Sequence, residues 1–485
     1  MKIFKVLPFL FAGTLLLPLC ALSSCKADSA RCEYAIEAEY FPDERRLSAT
    51  MDFSYYNDTE NALSVLEFNL YPNAFREGAT YEPVSSVYRS VAYYDGESYG
   101  YMQISSVENC ASWEVGGEDE NILFVTLNEE VYPEERVGVR ILFDVTLAAV
   151  RHRTGVSEKV VNLGNFYPVL CAYEEGKGFY ECLYYSDGDP FYSACADYSV
   201  SLTAPSDYEA AASAPEKKTE EADGKTTRRY RLENARDFAV CLSSEFSVRE
   251  EEVNGVSVRY CYTEDTAAEQ TFSVACGALR YFSSTFGEYA YEGYTLVQTG
   301  FCYGGMEYPG LVMLSDSLEE EEYLYTVVHE TAHQWWYAMV GNNQLDYAWM
   351  DEGLAEYSTV LFYEANPQYG KTRSSLVENA LAGYKAYYTI YQQIFGESDT
   401  SMSRNLSSFV SEYEYVNVTY HKGVILFDTL RTSIGDDRFF AGLQDYCRRY
   451  TGKIASSEEM IDCFRRTGVD VNGLFASFTQ GKAVI

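Results

Sequence analysis

A chain of 485 residues is longer than a single compact core normally supports, so two domains are expected. Apolar residues at 47% and charged residues at 23% exclude a disordered chain, which would lack the apolar groups to bury. The 73 acidic against 37 basic residues give a formal charge of -36, which repels phosphate backbones and argues against nucleic acid as a partner; solubility outside the cell accounts for it.

The first 24 residues read as a secretory signal: Lys2 and Lys5, the apolar run Val6 to Leu22, then small residues. The run closes on Leu22-Ser23-Ser24-Cys25, which resembles the lipobox of bacterial lipoproteins. That resemblance implies cleavage before Cys25, a lipid on its thiol, a short tether over 25–30 and a place on the outer face of a bacterial membrane. An uncleaved anchor and a simple secreted protein are the alternatives. No later apolar stretch is long enough to span a bilayer. Of 13 cysteines, Cys20 and Cys25 fall in this leader region; the other eleven form no CxxC pair, and an odd number leaves at least one thiol free.

From 31 to 262 short alternating runs are broken by turn signals: Ala49 to Tyr55, Leu63 to Leu70, Ile122 to Leu127, Val137 to Val145, Tyr198 to Thr203 and Thr226 to Leu232. This is the pattern of an antiparallel β domain. The charged stretch Pro205 to Thr227, with Asp223-Gly224, reads as an exposed hairpin loop. After Tyr262 the apolar period becomes helical, first over Thr263 to Phe286 with a stop at Gly287, so a second, mainly helical α+β domain is expected over 263–485. A strand pair, Tyr294 to Thr299 and Leu311 to Leu314, brackets the segment Gly304 to Tyr308.

Ser317-Leu318-Glu319-Glu320 has the form of a capping box and predicts a helix running to about Met339, closed by Gly341. In its middle lies Val328-His329-Glu330-Thr331-Ala332-His333. Residues four apart share a helix face, so His329 and His333 can bind one metal ion while Glu330 faces the water to be activated. With only His152, His329, His333 and His421 in the chain, a chance HExxH is on the order of 0.2%. Eighteen residues after His333 comes Glu352, in Trp349-Met350-Asp351-Glu352-Gly353-Leu354-Ala355-Glu356-Tyr357, the start of another helix that ends before Pro367. A loop and helix return of that length can complete a zinc site of two histidines and a glutamate, one position left open.

The pattern HExxH, eighteen residues, then Glu within DEGLAEY resembles the M1 family of gluzincin zinc aminopeptidases, which includes aminopeptidase N and leukotriene A4 hydrolase. Gly304-Gly305-Met306-Glu307-Tyr308 is similar to the GxMEN motif of that family, and Val418-Thr419-Tyr420-His421-Lys422-Gly423 to its tyrosine segment. The resemblance implies a thermolysin-like catalytic domain behind the β domain. It implies one Zn2+ on His329, His333 and Glu352, with Glu330 as general base and Tyr420 donating to the oxyanion. Gly304, Gly305, Met306 and Glu307 then bind substrate, the Glu307 carboxylate meeting the free α-amine of a peptide.

Three departures from the family pattern stand out. Tyr308 replaces the usual Asn, and Thr359 occupies the place of an acid beside the metal, for which Glu356 is the substitute candidate. The chain also stops soon after the catalytic domain. Two other functions remain compatible with the motifs: an endopeptidase on the same metal site, which Glu307 argues against because an internal peptide segment would leave its carboxylate unpaired, and a catalytically dead binding protein, which the full set of motif residues argues against.

Overall fold

Alternation of apolar and polar residues makes the first half of the chain a set of sheets. The computed structural model describes residues 30–396 and 398–481, so Cys25 and the 1–24 leader lie outside the described residues. A seven-stranded sheet runs in the order Glu216–Ala222, Lys225–Ala235, Ala196–Pro205, Glu33–Phe41, Arg46–Tyr56, Arg136–Thr146 and Tyr101–Glu108. Each of the six runs expected to be strands is one, within a few residues at its ends. The arrangement is not wholly antiparallel: Glu33–Phe41 pairs parallel with Ala196–Pro205, which the 154 residues between them allow. A four-stranded sheet, Val169–Leu170, Leu63–Asn69, Ile122–Val131 and Ser112–Gly116, packs against it, with Phe53 meeting Phe68 edge to face at 5.1 Å.

The stretch expected to be an exposed loop, 205–227, contains two strands. Asp223 and Gly224 do form the tight turn, both at positive φ, but Glu216–Ala222 pairs with Lys225–Ala235, and the buried Glu209–Ala212 joins another sheet through Val240–Ser243. The charge on Glu216 to Glu221 is that of a solvated sheet edge.

A third sheet carries the site. Its order is Ser247–Val253, Val256–Tyr262, Gly293–Thr299, Leu311–Ser315 and Gly305–Met306, the middle three parallel and the last antiparallel at the edge. The boundary expected at Tyr262 therefore divides a sheet, since the strands from Ser247 pair with those of the second half. The change of hydrophobic period marks where helix begins, whereas hydrogen bonding continues across it. Helix Ala268–Phe286, capped by Gly287, and helix Glu320–Ala332 pack together beside this sheet. From Arg31 on, the chain forms one compact unit.

The helix carrying the histidines is shorter than expected at both ends. Ser317 Oγ bonds Ser315 Oγ instead of capping, and Glu319 takes the N-cap position. The helix stops at Ala332, not at Met339, because the chain turns back through Tyr337 at φ 137 and buries Trp335 and Trp336 against Phe286. All eleven described cysteines are free thiols. Among the described residues no helix is long and apolar enough to cross a membrane.

Candidate metal centre and amine pocket

Helical periodicity brings His329 and His333 onto one face, and helix Glu352–Ala365, packed against theirs, presents Glu352 from its first turn. The His329 and His333 Nε2 atoms lie 3.1 Å apart, and Glu352 Oε2 is 3.3 and 3.2 Å from them. For a tetrahedral ion with bonds of about 2.0–2.1 Å, ligand atoms stand about 3.3–3.4 Å apart, so the triangle has the size zinc requires. The imidazoles also point the right nitrogen inward. His333 Nδ1 lies 2.9 Å from the Trp336 carbonyl oxygen, which can only accept, so Nδ1 carries the proton and Nε2 keeps its lone pair. The sharp turn that ends the helix is what brings that carbonyl into place.

Glu356, one turn after Glu352, approaches His329 Nδ1 to 2.8 Å and accepts a hydrogen bond from Tyr325 Oη at 2.6 Å. Thr359 instead donates to the Ala355 carbonyl within its own helix. Of the two, Glu356 is therefore the side chain that reaches a candidate metal ligand. Glu352 is held well below the usual carboxylate range: burial opposes this, and the two histidines outweigh it.

Glu330 is buried, and its Oε2 has no protein partner. Burial pushes its carboxyl up to about 8, against the pull of His329 and His333. Its carboxylate lies against Gly305, where a Cβ would come within 2.6 Å of Glu330 Cδ. Gly305 is therefore glycine for close approach. Tyr420 reaches the cavity from an irregular turn of wide helical pitch, Asn417–His421, and stacks on His329 at 5.8 Å. Insertion of a π turn re-aims a side chain without ending the helix, a feature common at functional sites. Burial and the charge of Glu352 push its hydroxyl well above the usual range, so it is a neutral donor.

The edge strand Gly305–Met306 delivers Glu307 into the same cavity, about 400 Å³ in volume. Glu307 Oε1 accepts from Gln344 Nε2 at 3.1 Å, and Gln344 also holds Asp351 at 2.6 Å. Oxygens of Glu307, Glu352 and Asp189 all lie within 4.8 Å of one another. Asp189 was not expected from sequence. It sits in a loop of the β half, in Ser186-Asp187-Gly188-Asp189-Pro190, with no periodicity to mark it. Tyr308 follows Glu307, and its hydroxyl donates to Asn165 Oδ1 at 2.7 Å, reaching the Gly164-Asn165-Phe166-Tyr167-Pro168 run of the β half. Gly164 makes room for it: a Cβ there would lie 2.6 Å from Tyr308 Cζ. The larger side chain thus serves as a bridge between the halves.

Two histidines and a glutamate on a helix pair, with a buried carboxylate beside them and further acids lining the same cavity, form a candidate metal centre. Residues 270–478 match the model of the peptidase family M1 domain. Among curated relatives, the chain is 26% identical over 167 residues to leucine aminopeptidase 2 of Aspergillus fumigatus, covering 34% of this chain and 26% of that protein. It is 28% identical over 193 residues to leukotriene A-4 hydrolase of Xenopus laevis, covering 37% and 30%. These matches span only about a quarter to a third of each relative's length. The fold matches an M1 zinc metallopeptidase from Deinococcus radiodurans over 94% of this chain and 95% of that one, with a TM-score of 0.66 at 18% identity. A mutant of that protein bound to a Tyr-Ser-Ala substrate matches with a TM-score of 0.65 at 18% identity, over 94% and 95%.

Proposed function

We propose that this chain is a zinc aminopeptidase that removes the first residue of peptides. The observation that carries this reading is the distance between the acid cluster and the metal ligands. An α-ammonium held by Glu307 and Asp189 sits within about one residue of the ion, because Glu352 belongs to both groups. In a peptide the first carbonyl carbon lies about 2.5 Å from the α-nitrogen, and each further residue adds about 3.3–3.6 Å, so only the first peptide bond reaches the metal. A charged amine meeting buried carboxylates also excludes an acylated terminus.

When bound, zinc supplies Lewis acidity to the scissile carbonyl and to the attacking water. Glu330 takes the proton of that water on its unpartnered oxygen and returns it to the leaving amine. Tyr420 donates its hydroxyl to the oxygen on which negative charge develops. His333 is kept in the ligating tautomer by the Trp336 carbonyl, and the Glu356 carboxylate beside Nδ1 of His329 favours the proton there.

Hydrolysis of Leu-Ala-Ala is compared with that of its N-acetyl form. Cleavage of the free peptide alone is expected, and equal cleavage of both removes the aminopeptidase reading. Glu330→Gln is expected to abolish turnover and keep one zinc per chain; retained activity would mean the base is misassigned. We also propose that Cys25 carries a lipid holding the enzyme on the outer face of a bacterial membrane, on the support of the Leu22-Ser23-Ser24-Cys25 pattern. Cys25→Ala should move the protein to the soluble fraction and stop incorporation of labelled palmitate.

A further inference from the structure

Glu307 and Asp189 come from different halves of the chain, 118 residues apart, yet both must hold one ammonium group. Arg153 touches both segments. It precedes strand Thr154–Val156 of the β half, is buried at 5% exposure, and lines the cavity. Its Nε lies 3.0 Å from the sulfur of Met306, the residue before Glu307. Its Nη2 forms an ion pair with Asp189 and donates to the Gly188 carbonyl at 3.2 Å, and Nη1 donates to Tyr184 Oη at 3.2 Å. Phe191 and Tyr303 lie against the guanidinium, at 5.4 and 5.9 Å. All three nitrogens are used, and two aromatic rings lie near the planar group.

We propose that Arg153 is a positioning residue that aligns the two carboxylates of the amine pocket, so that recognition of the substrate terminus depends on the β half. A guanidinium can do this because its donors diverge in one rigid plane; an ammonium, as a point charge, reaches Asp189 but not Met306 and Tyr184 as well. This inference rests on the aminopeptidase reading and is tested apart from it.

The probes are leucine hydroxamate and 4-methylpentanohydroxamate, which share the metal-binding group and side chain and differ only in the amine. In the zinc-loaded wild type the amine compound should bind more tightly. In Arg153→Met the ratio of the two affinities is expected to fall by about tenfold, the scale of one charge-assisted hydrogen bond, with the des-amino compound unchanged within about twofold. Arg153→Lys, which keeps the charge, should lose part of the ratio, and it decides the matter if the methionine variant does not fold, as judged by thermal unfolding. Equal weakening of both probes, or an unchanged ratio, overturns the inference. A wild type with no preference for the amine compound instead overturns the amine pocket itself, and the inference with it.

Discussion

Gly305→Ala separates the base from everything else at the site. Gly305 does not lie in the left-handed region, so alanine meets no backbone penalty there. The added methyl would stand 2.6 Å from Cδ and 2.7 Å from Cγ of Glu330. Non-bonded carbons need about 3.5 Å, so the carboxylate must move by close to about 1 Å. The ligands His329, His333 and Glu352 do not meet the new methyl as its nearest neighbours, so the metal site should survive. A base displaced by about 1 Å costs on the order of 10²-fold, or about 2.7 kcal/mol of barrier. The assay is kcat on leucine p-nitroanilide together with zinc stoichiometry. A hundredfold loss of kcat at one zinc per chain is expected. A variant within threefold of wild type, or one that has lost its metal, would refute the reasoning that Gly305 is glycine to seat Glu330.

Tyr420→Phe removes a neutral donor and should lower kcat about 10²- to 10³-fold with KM little changed, as steady-state kinetics would show. Glu356→Gln weakens the support of His329, and competition with a chromogenic chelator should record a zinc affinity about 10- to 100-fold lower; an unchanged affinity would mean that the 2.8 Å approach does not orient the ring. Lys422 is buried and donates to the carbonyls of Thr400 and Phe478, and burial pushes its ammonium down to about 7. A lysine whose folded value lies below its unfolded one binds fewer protons when folded, so stability rises with pH from about 7 toward the ordinary lysine value. Urea unfolding at pH 7.5 and 9 should therefore show wild type gaining up to about 2 kcal/mol relative to Lys422→Met; parallel profiles would contradict the shift.

How legible each part was depended on how local its signal is. The two histidines and Glu330 were readable because a helix of 3.6 residues per turn fixes which side chains share a face, whatever the helix packs against. Glu352 was readable at a fixed distance in sequence. The short edge strand was visible in Gly304 to Tyr308, between two strand runs. The end of the histidine helix was not: Gly341 looked like its stop, but burial of Trp335 and Trp336 turned the chain at Tyr337, four residues after His333. Glu209–Ala212 was hidden by composition, since an Ala-rich segment announces a strand only when its partner, Val240–Ser243, is known.

What the sequence alone determined was the make-up of the candidate centre: two histidines and a glutamate, the acid beside them, and the motif that carries Glu307 past the edge strand. What only the tertiary structure decided was the closure of the pocket. Asp189 and Arg153 lie in loops of the β half without period or motif, and they acquire meaning only where that half meets Glu307 and Met306. Such contacts join segments more than a hundred residues apart, and no local propensity encodes them: they follow from how the sheets pack, which depends on the whole chain at once.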